Sequence, residues 1–124
     1  MHILVVDDSS PHRRLLTALF GRAGHQVHTA ADGVAALEIL EREPIDAVVS
    51  DVRMPRLDGI GLARVLAPHE PPIPIILMSA TPLPPDCPLP ALRKPFTLAE
   101  LLTLMARTLP VSVAAVALVG LGAV

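Results

Sequence analysis

The sequence predicts an α/β fold in which a doubly wound, five-stranded parallel sheet carries helices on both faces. Three short apolar runs rich in β-branched residues, at 3–6, 47–50 and 73–78, are typical of strands that are buried on both sides. The segments between them have the three- and four-residue spacing of amphipathic helices. Because strands and helices alternate, a parallel sheet is favoured, and 124 residues suffice for one such domain.

The first strand–helix unit begins at the N-terminus. After the strand at 3–6, Ser9 or Ser10 can cap a helix that has Pro11 in its first turn. Gly24 is the expected end of this helix. The helix is predicted to bury four residues: Leu15, Leu16, Leu19 and Phe20.

Two further units follow. A strand at 26–30 leads into a helix at 33–43, and the strand at 47–50 precedes a helix at 59–66. The pair Asp58 and Gly59 is typical of a turn that starts a helix. The helix at 33–43 is predicted to turn three residues inward: Val34, Leu37 and Leu40.

The last part of the chain combines one clear helix with a proline-rich connection. The segment 80–93 holds five prolines in 14 residues, so the only regular element expected there is a short strand at 91–93. A helix is predicted at 97–109. Its residues at core spacing are Leu98, Leu101, Leu102, Met105 and Leu109.

Five polar residues follow the predicted strands and so share one edge of the sheet: Asp7, Asp8, Asp51, Ser79 and Lys94. Ligands bind at this edge in sheets of this kind. Three carboxylates so close together need a cation, and oxygen ligands favour Mg²⁺. A lysine and a hydroxyl beside that ion suit a phosphate-sized anion. The set therefore suggests phosphoryl transfer to an aspartate.

Four stretches, in order and spacing, resemble the receiver domain of two-component response regulators: ILVVDDSS, DAVVSDVRMPRLDGIGLA, PIILMSA and LRKPF. The resemblance covers residues 1–109 and implies the flavodoxin-like receiver fold. It also implies a signalling domain that moves a phosphoryl group onto its own aspartate, rather than an enzyme with a separate substrate.

Carried over by position, the resemblance implies a role for each site residue. Asp51 would be the phosphoacceptor, and Lys94 and Ser79 would contact the phosphoryl oxygens. Asp8 and Asp51 would ligate Mg²⁺ directly, with the backbone carbonyl of Arg53 as a further ligand and Asp7 acting mainly through water. A cis peptide bond is implied between Lys94 and Pro95.

Two features depart from the family pattern. The proline-rich segment leaves the fourth helix of the family short or absent. Ala91 occupies the position of an aromatic residue that often moves with the switch hydroxyl, so the usual relay is not expected here.

Composition narrows the partners and the compartment. A formal net charge of −2 gives no general attraction to nucleic acid. The single cysteine, Cys87, excludes an internal disulfide and a cysteine-based zinc site, which suits a reducing compartment. The apolar run before Asp7 is too short for a secretory signal. We therefore expect a cytoplasmic protein.

Residues 110–124 form an uncharged tail with one polar side chain. Three interpretations stay open. The tail could fold back over apolar surface exposed by a missing fourth helix, mediate self-association or partner contact, or contact a membrane, the last being disfavoured by its small residues.

The sequence leaves two classes of function. One is a two-component receiver that is phosphorylated by a sensor histidine kinase, a phosphotransfer protein or a small phosphodonor, and that then binds a downstream target protein. The alternative is a receiver-fold scaffold that binds proteins or dimerises without phosphorylation. An aspartyl-phosphate hydrolase of the haloacid-dehalogenase kind is disfavoured, because Asp7 and Asp8 are adjacent and the chain has no room for a cap domain.

Overall fold

The computed structural model describes residues 2–69, 72–83 and 89–108, which form one sheet flanked by helices. The elements are β1 His2–Val6, α1 Ser10–Arg22, β2 Gln26–Ala30, α2 Gly33–Arg42, β3 Ala47–Asp51, α3 Gly59–Leu66, β4 Ile75–Ser79, β5 Ala91–Arg93 and α4 Leu98–Thr108. All five strands pair in parallel, in the order β2-β1-β3-β4-β5. The predicted doubly wound sheet is confirmed.

The inner strands separate two hydrophobic clusters. In β1, Ile3 and Val5 pack on one face, while Leu4 and Val6 pack on the other, and all four are fully buried. Burial of such a side chain contributes about 1.5–3 kcal/mol. Because both faces are covered, the strand is a continuous apolar run rather than an alternating one.

The ends of α1 agree with the predicted signals. The Ser9 hydroxyl oxygen caps the helix by accepting from the backbone N–H of His12, and Pro11 lies in the first turn. After the helix, Gly24 has a φ of +89°, a left-handed conformation that favours glycine.

One prediction of an inward-facing residue needs correction. Leu15 is 55% exposed, because it lies about 100° around α1 from the buried Leu16. In α2 the side chain of Ala36 is fully buried, since its small size lets the helix approach the sheet, and Leu37 and Leu40 face inward as predicted, partly buried against the same cluster. Val34 is also only partly buried.

Predictions for the C-terminal part are tested only in places. Leu101 of α4 is buried as expected, whereas Leu109, Cys87, the side chains of Leu98, Leu102 and Met105, and the tail 110–124 lie outside what the structure describes. Between β4 and β5 the described residues, 80–83 and 89–90, contain no helix. None of the helices within the described ranges is long and apolar enough to cross a bilayer.

Gly59 is expected to be essential for the close approach of α3 to β3. A Cβ atom there would collide with the backbone carbonyl oxygen of Asp51 and would lie 3.1 Å from Leu77 Cδ2 and from Val52 Cα. Gly59→Ala should therefore lower the free energy of unfolding by about 1–3 kcal/mol in urea denaturation. The control is Gly21→Ala in α1, where a Cβ meets no atom within 4 Å and alanine should stabilise the helix by about 0.5–1 kcal/mol. Equal unfolding free energies for the two variants would contradict this packing argument.

Candidate functional site

The strand register brings the predicted site residues to one edge of the sheet. Val6 pairs with Ser50, so Asp7, one residue beyond β1, comes level with Asp51 at the end of β3. Ser79 pairs with Arg93, so Lys94 comes directly after that pair. The carboxyl ends of four strands thus place the acidic, hydroxyl and amino groups together, as the sequence predicts.

Three carboxylates form the centre of the site. One oxygen from each of Asp7, Asp8 and Asp51 lies within 4.8 Å of the others. Asp7 is fully buried and Asp51 is 8% exposed, whereas Asp8 is open to solvent. This set of oxygen donors, with one member accessible, suits a hard divalent cation such as Mg²⁺.

Lys94 connects two of these carboxylates. Its Nζ atom donates to Asp7 Oδ2 at 3.1 Å and to Asp51 Oδ2 at 3.3 Å. The Lys94 backbone N–H donates to the carbonyl of Ser79 at 2.6 Å, which fixes the segment after β5 beside β4. The peptide bond between Lys94 and Pro95 is cis, as predicted. One ammonium against three carboxylates leaves an excess of negative charge that a divalent cation would balance.

Asp7 is held by several donors. Its Oδ1 accepts from the backbone N–H of Ser9 at 2.9 Å, and its Oδ2 accepts from His12 Nδ1 as well as from Lys94. Burial raises the pKa of Asp7, but the hydrogen bonds from His12, Ser9 and Lys94 outweigh burial and hold the pKa below its ordinary value. The buried carboxylate is thus stabilised as an anion.

Asp51 has the opposite balance. Burial raises its pKa, and although Lys94 favours the ionised form, the negative charges of Asp7 and Asp8 add to the effect of burial, so the pKa lies above its ordinary value. The ionised carboxylate of Asp51 is therefore costly unless a cation is present. A bound cation would favour the ionised form of Asp51.

Two further predicted site residues lie at the margin of the acidic cluster. The Ser79 hydroxyl donates to the Thr81 carbonyl at 2.6 Å and accepts from the Thr81 backbone N–H at 3.2 Å, so its hydrogen bonds are local. Arg53 lines a shallow depression together with Asp8 and Asp58. Ala91 is partly buried in β5 and contributes only a methyl group to the packing there.

The loop between β3 and α3 is held by its own hydrogen bonds. Asp58 caps α3 by accepting from the Gly61 backbone N–H at 2.7 Å, which confirms the predicted helix start. The Gly59 N–H donates to the Val52 carbonyl at 2.9 Å. Arg56 also pairs with Asp32 at 2.8 Å. These contacts hold the loop that follows Asp51.

His12 is the residue at this site that the sequence interpretation missed. The sequence shows no ligand spacing among the five histidines, His2, His12, His25, His28 and His69, and so predicts only surface or packing roles for them. This prediction needs correction at His12, because its imidazole contacts Asp7. Its ring also packs edge-on against Phe96, with the ring centroids 5.9 Å apart. The available signal was its place in the first turn of α1, because that turn lies directly after Asp7 and Asp8.

Comparison with known proteins gives the family. The family model of the response regulator receiver domain matches residues 3–86. Over 83 residues, or 67% of this chain, the sequence is 45% identical to the sensor histidine kinase RcsC of Escherichia coli K12. Over 78 residues, or 62% of the chain, it is 45% identical to protein-glutamate methylesterase/protein-glutamine glutaminase 1 of Anaeromyxobacter dehalogenans.

Solved structures agree with this result. The chemotaxis protein CheY4 of Vibrio cholerae matches 87% of this chain and 98% of its own, with a TM-score of 0.77 and 29% identity. The chain belongs to the response regulator receiver family. It spans only 9% of RcsC and 22% of the methylesterase, so the similarity concerns the receiver part of those proteins.

Proposed function

We propose that this protein is a two-component receiver in which Asp51 accepts a phosphoryl group. The observation that carries the proposal is the Lys94 ammonium, which bridges Asp7 and Asp51 within a cluster of three carboxylates. A cation fixed beside a partly buried carboxylate is the arrangement that stabilises charge on a transferring phosphoryl group.

In the proposed reaction an oxygen of the Asp51 carboxylate attacks the phosphorus of the donor. A phosphorus–oxygen bond to Asp51 forms, while the phosphorus–nitrogen bond of a phosphohistidine, or the phosphorus–oxygen bond to acetate in acetyl phosphate, breaks. The leaving group takes the electron pair, and a leaving imidazole also takes up a proton. Hydrolysis returns Asp51 to its free carboxylate, because water attacks phosphorus and releases inorganic phosphate.

The residues present fit a bound Mg²⁺. Asp8 and Asp51 would ligate it directly with the Arg53 carbonyl, and Asp7 would act through water. Two observations support this division: the oxygens of Asp7 already accept from Ser9, His12 and Lys94, whereas Asp8 is exposed. When bound, the ion neutralises charge on the phosphoryl oxygens.

Lys94 and Ser79 would contact the phosphorylated state. The Lys94 ammonium already lies beside Asp51 and would pair with a phosphoryl oxygen on it. The Ser79 hydroxyl would have to exchange its hydrogen bond to the Thr81 carbonyl for one to the phosphoryl group. This exchange would be the switch between the two states.

The proposed partners are a sensor histidine kinase or a phosphotransfer protein, and a downstream target protein. The proposed compartment is the cytoplasm. We propose no enzymatic activity for the chain beyond phosphorylation and dephosphorylation of its own aspartate. Ala91 favours a second candidate, a scaffold that binds proteins without phosphorylation, because the usual aromatic relay is missing. We propose the bounds 1–109 for the receiver domain and 110–124 for the tail. Fold-back, self-association and membrane contact stay the three proposed roles of the tail.

Labelling with a small phosphodonor tests the proposal. Incubation with acetyl phosphate and Mg²⁺ should add one phosphoryl group per chain, seen as a shift in intact mass, and chelation by EDTA should prevent it. A folded chain that binds Mg²⁺ but gains no phosphoryl group would overturn the proposal and favour the scaffold.

A further inference from the structure

We propose that His12 is a positioning residue that keeps the buried Asp7 carboxylate compensated when Lys94 moves to the phosphoryl group. The inference rests on the proposed function and deepens it. It assigns to a histidine on α1 a part in the phosphorylation reaction that the acidic residues and the lysine alone do not supply.

The argument begins with the shared acceptor. Asp7 Oδ2 accepts from two side chains, His12 Nδ1 and Lys94 Nζ, while Oδ1 accepts from the Ser9 backbone N–H. Asp7 is fully buried, so apart from a water on a bound Mg²⁺ only protein groups can replace a donor that leaves. The number of protein donors on this carboxylate therefore decides how much its charge costs.

Lys94 cannot serve both states equally. Its ammonium divides its hydrogen bonds between Asp7 and Asp51 before phosphorylation, and the new phosphoryl oxygens would attract it more strongly. As Lys94 turns toward them, Asp7 loses a charged donor. If His12 were also absent, Asp7 Oδ2 would have lost both of the side-chain donors that the structure assigns to it, His12 and Lys94.

His12 is held in place by contacts that do not involve the Lys94 side chain. The ring is 20% exposed and packs edge-on against Phe96 at an interplanar angle of 68°. The backbone N–H of the same residue donates to the capping Ser9 hydroxyl. The Nδ1–H donor is therefore fixed by the helix start and by an aromatic contact, and it stays on Asp7 when Lys94 leaves.

Two substitutions separate the donor from the ring. His12→Phe keeps a ring against Phe96 but removes the donor, whereas His12→Asn places an amide N–H near the position of Nδ1. The rate constant of labelling by acetyl phosphate at saturating Mg²⁺ should fall about ten-fold or more in the first variant. His12→Asn should recover most of the lost labelling rate. His69→Phe, at an exposed histidine after α3, is the control and should label at the native rate.

Each outcome decides the inference. An unchanged rate in His12→Phe, with the native chain labelled normally, would overturn it while leaving the proposed function intact. Equal losses in both variants would assign the effect to ring packing and would also overturn it. Far-ultraviolet circular dichroism checks folding, and if the phenylalanine variant does not fold, native-like labelling of His12→Asn supports the inference and a full loss overturns it. A native chain that is not labelled at all would overturn the proposed function and the inference together.

Discussion

Replacing Asp51 with asparagine should abolish labelling by acetyl phosphate and, in the absence of metal, stabilise the fold at neutral pH. Labelling is lost because the asparagine amide does not attack phosphorus as the aspartate carboxylate does. Stability rises because burial and the charges of Asp7 and Asp8 raise the pKa of Asp51, so that its ionised form opposes folding. The gain should grow as the pH rises from about 4, where an unfolded aspartate ionises, and level off above the folded pKa.

Chemical denaturation in EDTA across this pH range measures the second effect. Asp46→Asn is the control, since it makes the same change at an exposed residue just before β3. That variant should be labelled like the native chain. An Asp51→Asn protein that is less stable than the native chain at neutral pH would contradict the electrostatic account of the site.

Replacing Lys94 with methionine should separate phosphorylation from metal binding. The labelling rate should fall about a hundred-fold, because a positioned donor to developing charge contributes on that order. Mg²⁺ should bind more tightly, because the ammonium that neutralises Asp7 and Asp51 is gone while the carboxylates stay. Quenched time courses of labelling by acetyl phosphate measure the labelling rate, and calorimetric titration with Mg²⁺ measures the metal affinity.

Arg93→Met is the matched control for Lys94. Arg93 is exposed in β5, and its replacement by methionine removes the same charge one residue away from Lys94. It should change neither the labelling rate nor the Mg²⁺ affinity by more than about two-fold, since exposed charges at this range are largely screened. Weaker Mg²⁺ binding in Lys94→Met would show that the lysine supports the metal site rather than competing with it.

The fold could be predicted because its strands are buried on both faces. Continuous apolar runs such as Ile3 to Val6 are typical of inner parallel strands. The proline-rich segment predicted a short or absent fourth helix, and the described residues between β4 and β5, 80–83 and 89–90, contain none. Helix faces were less certain. Leu15 is exposed because it lies about 100° around α1 from the buried Leu16. Ala36 is buried because a small residue at the contact lets α2 approach the sheet.

The site could be predicted as a location but only partly as a set of contacts. The end of each parallel strand gives a position in the sheet, and so Asp7, Asp51 and Lys94 could be brought together from spacing alone. Contacts from side chains on the next element do not follow from that rule. His12 was missed for this reason, because its contact with Asp7 depends on how α1 turns back after β1.

The position of the phosphoryl group is the most direct test of the central claim. Sodium borohydride reduces an aspartyl phosphate to homoserine, and fragmentation of the digested chain then identifies the residue that carried the group. The account predicts homoserine at position 51 after labelling with acetyl phosphate and Mg²⁺, and its absence in unlabelled chain. Homoserine at position 7 or 8 instead, or a stable adduct that borohydride does not convert, would contradict the assignment of Asp51.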